Sequence, residues 1–419
     1  MSRMEKSYNI PLISILVFWL LLITTDFWSN LSYQDSGIKG YLSNPLYLLF
    51  LLLILANQRR FGNWTIWDYL VLWIIASFFT CSIPAYFDFG QSFVSSFFCG
   101  FKTSSVFLFY YVLKVCNYPI TKLMKVVSIF CLIWVFLELY QQITYPKFWF
   151  SGRYLRQGFI EERMGMMRFY LFGIDFVLFA FSYYLGCFIA SLSKKARQIR
   201  LNRLSIYTML FVLTVGIFCY LSRKHMAVAI VAFFMPTINL KGSWKWFYVF
   251  ILSAIGIYLF NNYWENFNEM NSELMDQQGE GEDFVRVMAA IHYLTEFSQS
   301  TLYPFLGSGI NDGVSGLSKA VDFSQEVMHL YQTDCGIIGY YSRYGLFGVS
   351  AILAFFIVFL KNWSQIDLWL KMFFVMKILL LFFDFWGMWL SGNAAFAMFV
   401  YAVQKDLSSK QLDLNRSKV

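Results

Sequence analysis

The feature that most constrains this 419-residue chain is a succession of apolar segments of near-bilayer length, joined mostly by short basic connections. A helix needs about 17–25 predominantly apolar residues to cross the hydrocarbon core. Segments of roughly that kind fall near 10–25, 41–56, 66–86, 91–113, 126–145, 169–190, 204–221, 225–240, 245–260, 336–360, 366–384 and 386–404. Lipid offers no partner to backbone N–H and C=O groups, so such segments are expected to be helical. Charged residues make up 14% of the chain and aromatic residues 21%; soluble domains carry about 25% charged residues. The expected fold class is an all-α polytopic membrane protein with about 12 transmembrane helices.

One long non-spanning segment, 261–334, separates the ninth and tenth spans. The chain therefore divides into a transmembrane bundle at 1–260, which includes a basic outer loop at 146–168. The large outer loop at 261–334 follows, then spans at 335–404 and a cytoplasmic tail at 405–419. The large loop opens acidic (Glu265, Glu269, Glu273, Asp276, Glu280, Glu282, Asp283). With Asp283 as N-cap, the apolar residues Phe284, Val287, Met288, Ile291 and Leu294 recur at helical spacing, predicting a helix near 284–300. That helix is expected to end before Pro304, with Gly307-Ser308-Gly309 marking a turn.

Orientation follows from the excess of Lys and Arg on the inner side of membrane proteins. With the N-terminus inside, the inner connections hold Arg59 and Arg60, then Lys114, Lys122 and Lys125, then Lys194, Lys195, Arg197, Arg200 and Arg203. The tail adds Lys405, Lys410, Arg416 and Lys418. Both termini are expected to be cytoplasmic. The first apolar run lacks a small-residue cleavage site and reads as a span. The net charge of +8 lies mostly in connections beside spans, so it does not point to nucleic acid. The seven cysteines form no C-x-x-C pair and none lies in the large loop, which argues against a disulfide framework or zinc. No metal and no cofactor is expected.

Several arginines oppose the topology rule. Arg153, Arg156, Arg163 and Arg168 lie in the 146–168 loop, Arg223 at an outer corner beside Lys224, and Arg286 in the large loop. Something anionic outside would account for them. Arg286 falls in the first turn of the predicted helix, where a cation opposes the dipole but completes an anion site; the alternative is a salt bridge to Glu282 or Asp283. For Arg223 the alternative is snorkelling to lipid headgroups. In the 146–168 loop, Phe148, Trp149, Phe150 and Tyr154 beside the arginines suit sugar stacking and phosphate binding, and an interfacial aromatic belt is the other reading.

His329 stands where the large loop re-enters the membrane, placed to deprotonate a hydroxyl or hold a phosphate, or to serve as a structural hydrogen-bonding residue. Lys102 lies near the middle of the fourth span between Gly100 and Ser104, an expensive place for a charge. Its face is expected to pack against other helices, with Glu138 or Asp175 as ion-pair partner; a substrate contact is the other reading.

Three pieces of the chain resemble the superfamily of bacterial O-antigen polymerases (Wzy-type) and O-antigen ligases. They are Ser222-Arg223 after a span; Arg286 followed by Pro304-Phe305-Leu306-Gly307-Ser308-Gly309; and a late run carrying His329, Asp334, Gly336, Gly339, Tyr344, Gly345 and Gly348. The resemblance implies a metal-independent membrane glycosyltransferase of the bacterial cytoplasmic membrane that uses undecaprenyl-pyrophosphate-linked oligosaccharides. It implies that Arg223 and Arg286 hold the donor pyrophosphate and that His329 is catalytic. Arg153, Arg156, Arg163, Lys224 and Asp334 would be substrate-binding. The Asp-x-Gly-x-x-Gly run favours a polymerase of repeat units for O-antigen, capsule or exopolysaccharide. Such a polymerase would work beside a chain-length regulator (Wzz-type) and a flippase. Ligases show His-Asn in the late loop where this chain has His329-Leu330. A ligase that transfers glycan to lipid A-core remains the alternative, and a transporter of lipid-linked sugars the rival from another class.

Overall fold

The computed structural model describes residues 10–25, 27, 38–57, 64–147, 161–163, 166–168, 172–192, 202–235 and 282–416. The helices are α1 (Ile10–Thr24), α2 (Ile38–Ala56), α3 (Ile66–Thr80), α4 (Ser82–Phe87), α5 (Phe93–Val115), α6 (Ile120–Thr144), α7 (Ile174–Leu192), α8 (Arg203–Cys219) and α9 (Arg223–Phe234). After the described chain resumes come α10 (Glu282–Ile291), α11 (Tyr303–Leu306), α12 (Gly316–Asp322), α13 (Ile337–Lys361), α14 (Leu368–Leu379) and α15 (Leu390–Arg416). Among the described residues, five helical stretches are long and apolar enough to cross a membrane: Ile66–Phe87, Phe93–Val115, Ile120–Thr144, Ile174–Leu192 and Ile337–Lys361. Ile10–Thr24, Asn44–Ala56 and Arg203–Cys219 are apolar but shorter. Helices α9 and α14, of 12 residues each, fall short of a crossing by themselves. A helix lies at every predicted span except 245–260, which is outside the described residues, as are Arg153 and Arg156.

Polar residues start several helices. Asp68 accepts from the Thr65 backbone N–H at 2.6 Å in a capping box, Ser92 accepts from Ser95 N–H, and Asn202 from Leu204 N–H. Aromatic side chains fill the space between helices. Phe355, Phe396 and Phe399 form one cluster, and Phe359 stacks on Phe374 with ring centroids 4.0 Å apart.

Contacts sort the connections into two ends. At the tail end Lys114 pairs with Asp68, Gln404 donates to Thr65, Ser14 bonds Tyr118, and Lys410 pairs with Asp367 and Asp406. At the loop end Gln91 donates to the Ile310 carbonyl, Ser95 to Asp312, Trp134 to the Phe172 carbonyl, and Lys224 pairs with Asp384. A two-stranded antiparallel hairpin, Glu161–Arg163 with Met166–Arg168, also sits there, held through Met167 by the Gln142 side-chain amide.

The predicted loop helix is present as α10, followed by a π turn at His292–Glu296. Its apolar stripe is turned outward. Val287, Met288, Ile291 and Leu294 are exposed, whereas Ala289 and Tyr293 are buried with Leu330 and Cys335. A small residue and a hydroxyl-bearing ring let the helix sit close to the 332–335 turn, with Tyr293 Oη donating to the Leu330 carbonyl at 2.9 Å. Helical periodicity finds a face but not which side of it is covered.

The segment 303–309 crosses α13 where that helix breaks at Gly345 (φ 61, ψ −168). A break frees carbonyls of the preceding turn, and two are taken up here: Ser308 N–H donates to the Ser342 carbonyl at 2.8 Å and Gly309 N–H to that of Arg343 at 3.0 Å. Any Cβ on Gly345 would run into the Phe305–Leu306 backbone, and one on Gly307 into the Arg343 carbonyl. The two glycine motifs seen as separate in the sequence are the two halves of one backbone crossing.

Candidate functional site

The corner between α8 and α9 turns at Leu221 (φ 53), and α9 begins at Arg223. Ser222 occupies the N-cap position, yet its hydroxyl lies 2.7 Å from His225 Nδ1 and makes no capping bond. His225 Nε2 lies 3.3 Å from Asp384 Oδ2, and Lys224 Nζ reaches the same oxygen at 3.0 Å and the Phe383 carbonyl at 3.2 Å. Ser222 and His225 are buried, while the Asp384 side chain keeps 21% of its surface. Burial works against the charge on Asp384, but the Lys224 ammonium and the His225 ring outweigh it and hold the carboxyl well below the usual range. The corner thus presents Arg223, half-buried, beside a carboxylate kept ionised.

Further charges lie beneath. Lys377 of α14 pairs with Asp175 of α7, both buried, and Glu138 of α6 is fully buried. These positions correct the pairing expected for Lys102, since Asp175 belongs to Lys377. Lys102 itself is exposed, not packed against neighbouring helices.

Arg286 is the fifth residue of α10, in its second turn, so the expected combination of a guanidinium with the first helical turn is not formed. It is half-buried and its charge acts on Cys335. Burial and Asp334 push that thiol up to about 12 against the pull of Arg286. The 332–335 turn leads into Gly336 (φ 55), where a Cβ would run into the Leu381 and Phe382 backbone, and Ile337 N–H donates to the Leu381 carbonyl at 2.9 Å. The next two residues, Phe383 and Asp384, are bound to Lys224. A continuous strip therefore runs from Arg286 through Cys335–Ile337 and Leu381–Asp384 to the Arg223 corner.

Arg343 is an arginine that the sequence offered without a role. It lies inside α13, two residues before the break, and its Nε donates to Gln332 Oε1 at 2.7 Å. Gln332 Nε2 donates to Ser342 Oγ at 2.8 Å, and Tyr303 Oη donates to the same oxygen at 2.9 Å. Asp384, Lys377 and Arg343 fall inside or beside apolar runs, where composition gives no hint of a polar partner on another segment, and nothing local to His225 points to Asp384.

The structure thus gathers Arg223, Lys224, His225 and Asp384 at one corner and sets Arg286 against the turn that bears Asp334. Asp334 is exposed. His329 is exposed on its own turn (φ 55); the next residue, Leu330, is anchored by N–H donation to the Ser324 carbonyl at 2.8 Å. Arg163 ends the first strand of the hairpin. Among the described residues no cluster of three metal-ligand side chains occurs. Chemically, a row of cations at one end of a helical bundle, with an ionised carboxylate among them, suits a phosphorylated ligand that also carries hydroxyl groups. No protein-family model matches the chain, and no curated protein matches it.

Proposed function

We propose that this chain is a membrane glycosyltransferase that joins lipid-pyrophosphate-linked oligosaccharide repeat units at the loop end, which faces outward. In this reading the chain has about 12 spans, both termini are cytoplasmic, and the membrane is the bacterial cytoplasmic one. An acceptor hydroxyl attacks the anomeric carbon of the donor glycan, the bond to the pyrophosphate oxygen breaks, and the electron pair leaves with the pyrophosphate. Arg223 and Arg286 stabilise that growing charge from fixed positions. The hydroxyl proton passes to a base, with His329 in that role. Pyrophosphate is a competent leaving group, so the chemistry needs neither a covalent intermediate nor a metal.

The observation that carries this reading is the strip from Arg286 to the Arg223 corner: two arginines far apart in sequence border one packed surface built from the glycine-bearing late segment. Replacing Arg223 or Arg286 by Ala is expected to lower polymerisation by about 10²–10³-fold, with protein level and single-repeat product unchanged. Wild-type chain lengths in both variants would remove the mechanism. Deleting the gene separates polymerase from ligase: loss of a polymerase leaves single-repeat surface glycan, and loss of a ligase leaves none.

A further inference from the structure

Lys102 is the tenth residue of α5, about 14 Å along the axis from Phe93 by the rise of a helix. It is exposed. Phe98, one turn nearer the loop end on the same face, is 64% exposed, and Val94 above it is also exposed. This face therefore looks outward from the bundle, where a helix apolar enough to cross a membrane meets lipid. A bare cation in hydrocarbon is costly, so a lysine retained there calls for an anion.

No carboxylate among the described residues takes that role. Asp175 is paired with Lys377, and Glu138 is buried in α6. Asp312, bonded to Ser95 on the same helix, has its oxygens occupied. Ser95 Oγ donates to Oδ2 at 2.7 Å, while Val314 N–H, Ser315 N–H and Ser318 Oγ all donate to Oδ1. Those bonds make Asp312 a clamp that seats the loop tip on the first turns of α5. Cys99 Sγ, at 3.7 Å from the Asn311 carbonyl, continues the same contact one turn lower. The surface above Lys102 is thus a polar wedge of Ser95, Asn311 and Asp312 let into an otherwise apolar wall of Phe97, Phe98 and Val94. A wedge of this kind carries water and headgroups deeper than the flat interface does, within reach of a snorkelling ammonium.

We propose that Lys102 is a lipid-side phosphate site, distinct from the Arg223–Arg286 strip: it binds the phosphate of a membrane lipid whose chain lies against Phe97 and Phe98. A phospholipid headgroup and a polyprenyl diphosphate share the chemistry it recognises. The inference needs only the membrane setting, not the transferase reading.

The test uses the full chain in lipid nanodiscs, with native mass spectrometry and titration of two probes, phosphatidylglycerol and undecaprenyl diphosphate. Lys102→Met is expected to weaken at least one probe about ten-fold, the equivalent of about 1.4 kcal/mol, and Lys102→Arg to restore it. Lys122→Met, at an exposed lysine near the other end of the bundle, serves as the control and is expected to leave both unchanged. Loss confined to phosphatidylglycerol identifies a headgroup site, and loss confined to undecaprenyl diphosphate identifies a second contact for a lipid-linked donor. Equal affinities of wild type and Lys102→Met for both probes, or an equal loss in Lys122→Met, would overturn the proposal.

Discussion

At the tail end Asp68 is fully buried and takes Tyr110 Oη, Lys114 Nζ, and both the N–H and Oγ1 of Thr65, all within 2.9 Å. At the loop end Asp384 offers one oxygen to Lys224 and His225 at 3.0 and 3.3 Å and keeps a fifth of its surface open. Both are carboxylates placed between apolar helices, yet one is saturated with short donors and the other is left partly available. The saturated acid is a joint: it ties α3 to α5 directly and, through Tyr110 and Gln404, to α15. The open one has the arrangement expected of a group that must meet something from outside. Buried charge by itself does not mark function; how completely it is satisfied separates the two ends.

The largest effect should come from breaking the joint. Asp68→Ala strands Lys114, Tyr110 and Thr65 without their acceptor, and removing one partner of a buried charge pair costs about 3–5 kcal/mol. Thermal unfolding of the purified protein should show a sharply lowered midpoint, with reduced protein in the membrane. Asp384→Ala should lower the midpoint by clearly less than Asp68→Ala does, because Asp384 keeps part of its surface open, and should reduce polymer formation. Equal destabilisation by the two variants would erase the distinction between the ends.

Next in size is the backbone crossing that supports the loop end. Gly345→Ala imposes a side chain at φ 61 and drives it into the Phe305–Leu306 backbone. A non-glycine residue at such a conformation costs about 1–3 kcal/mol before any clash. The expected outcome is a lower unfolding midpoint together with lost polymerisation, because the crossing seats the 332–337 turn. A variant with normal stability and normal activity would show that the crossing does not support the site.

Much of this organisation was legible in the sequence. Apolar length located the helices, since a lipid-facing helix must carry its burial signal along its whole extent. The glycines of the 304–309 piece and of the late run marked true close approaches at Gly307, Gly336 and Gly345. Partnerships were not legible. Lys377 with Asp175, and Asp384 with Lys224 and His225, join residues more than a hundred positions apart, and no local period encodes such a choice. The stripe on α10 marked the helix but not its buried face, because Ala289 and Tyr293, which carry the packing, are weaker hydrophobic signals than the Val287, Met288 and Ile291 they leave outside. Arg286 falls in the second turn because the helix already includes Glu282, two residues before the start that an Asp283 N-cap implies, and sequence alone places such boundaries poorly.

A subtler test concerns Asp312, the clamp on α5. Partial burial opposes its charge, but donation from Ser95 and from the Val314 and Ser315 backbone holds its carboxyl far below the usual value. A carboxyl whose folded value is depressed lends stability that is present above its unfolded value, about 3.9, and is lost as pH falls through that value toward the folded one. Wild type should therefore lose unfolding midpoint below about pH 4. Asp312→Asn should be less stable at neutral pH by roughly 1 kcal/mol, the scale of a net hydrogen bond, with a flatter profile in acid. Parallel pH profiles for the two proteins would mean that the clamp is not charge-dependent.

The smallest effect is expected at the open corner itself, and it separates positioning from stability. Lys224 and Asp384 keep 34% and 21% of their side-chain surface, so their ion pair is screened and contributes about 0.2–1 kcal/mol. Lys224→Met should hardly move the unfolding midpoint. It removes the ammonium that shares Asp384 Oδ2 with His225 and that ties α9 to the Phe383 carbonyl, so Arg223 loses one of the anchors of its corner. The consequence should appear as a modest rise in the donor concentration needed for half-maximal polymerisation, with the maximal rate largely kept. If the midpoint falls as far as in Asp68→Ala, the corner is a second structural joint and the contrast between the two ends fails.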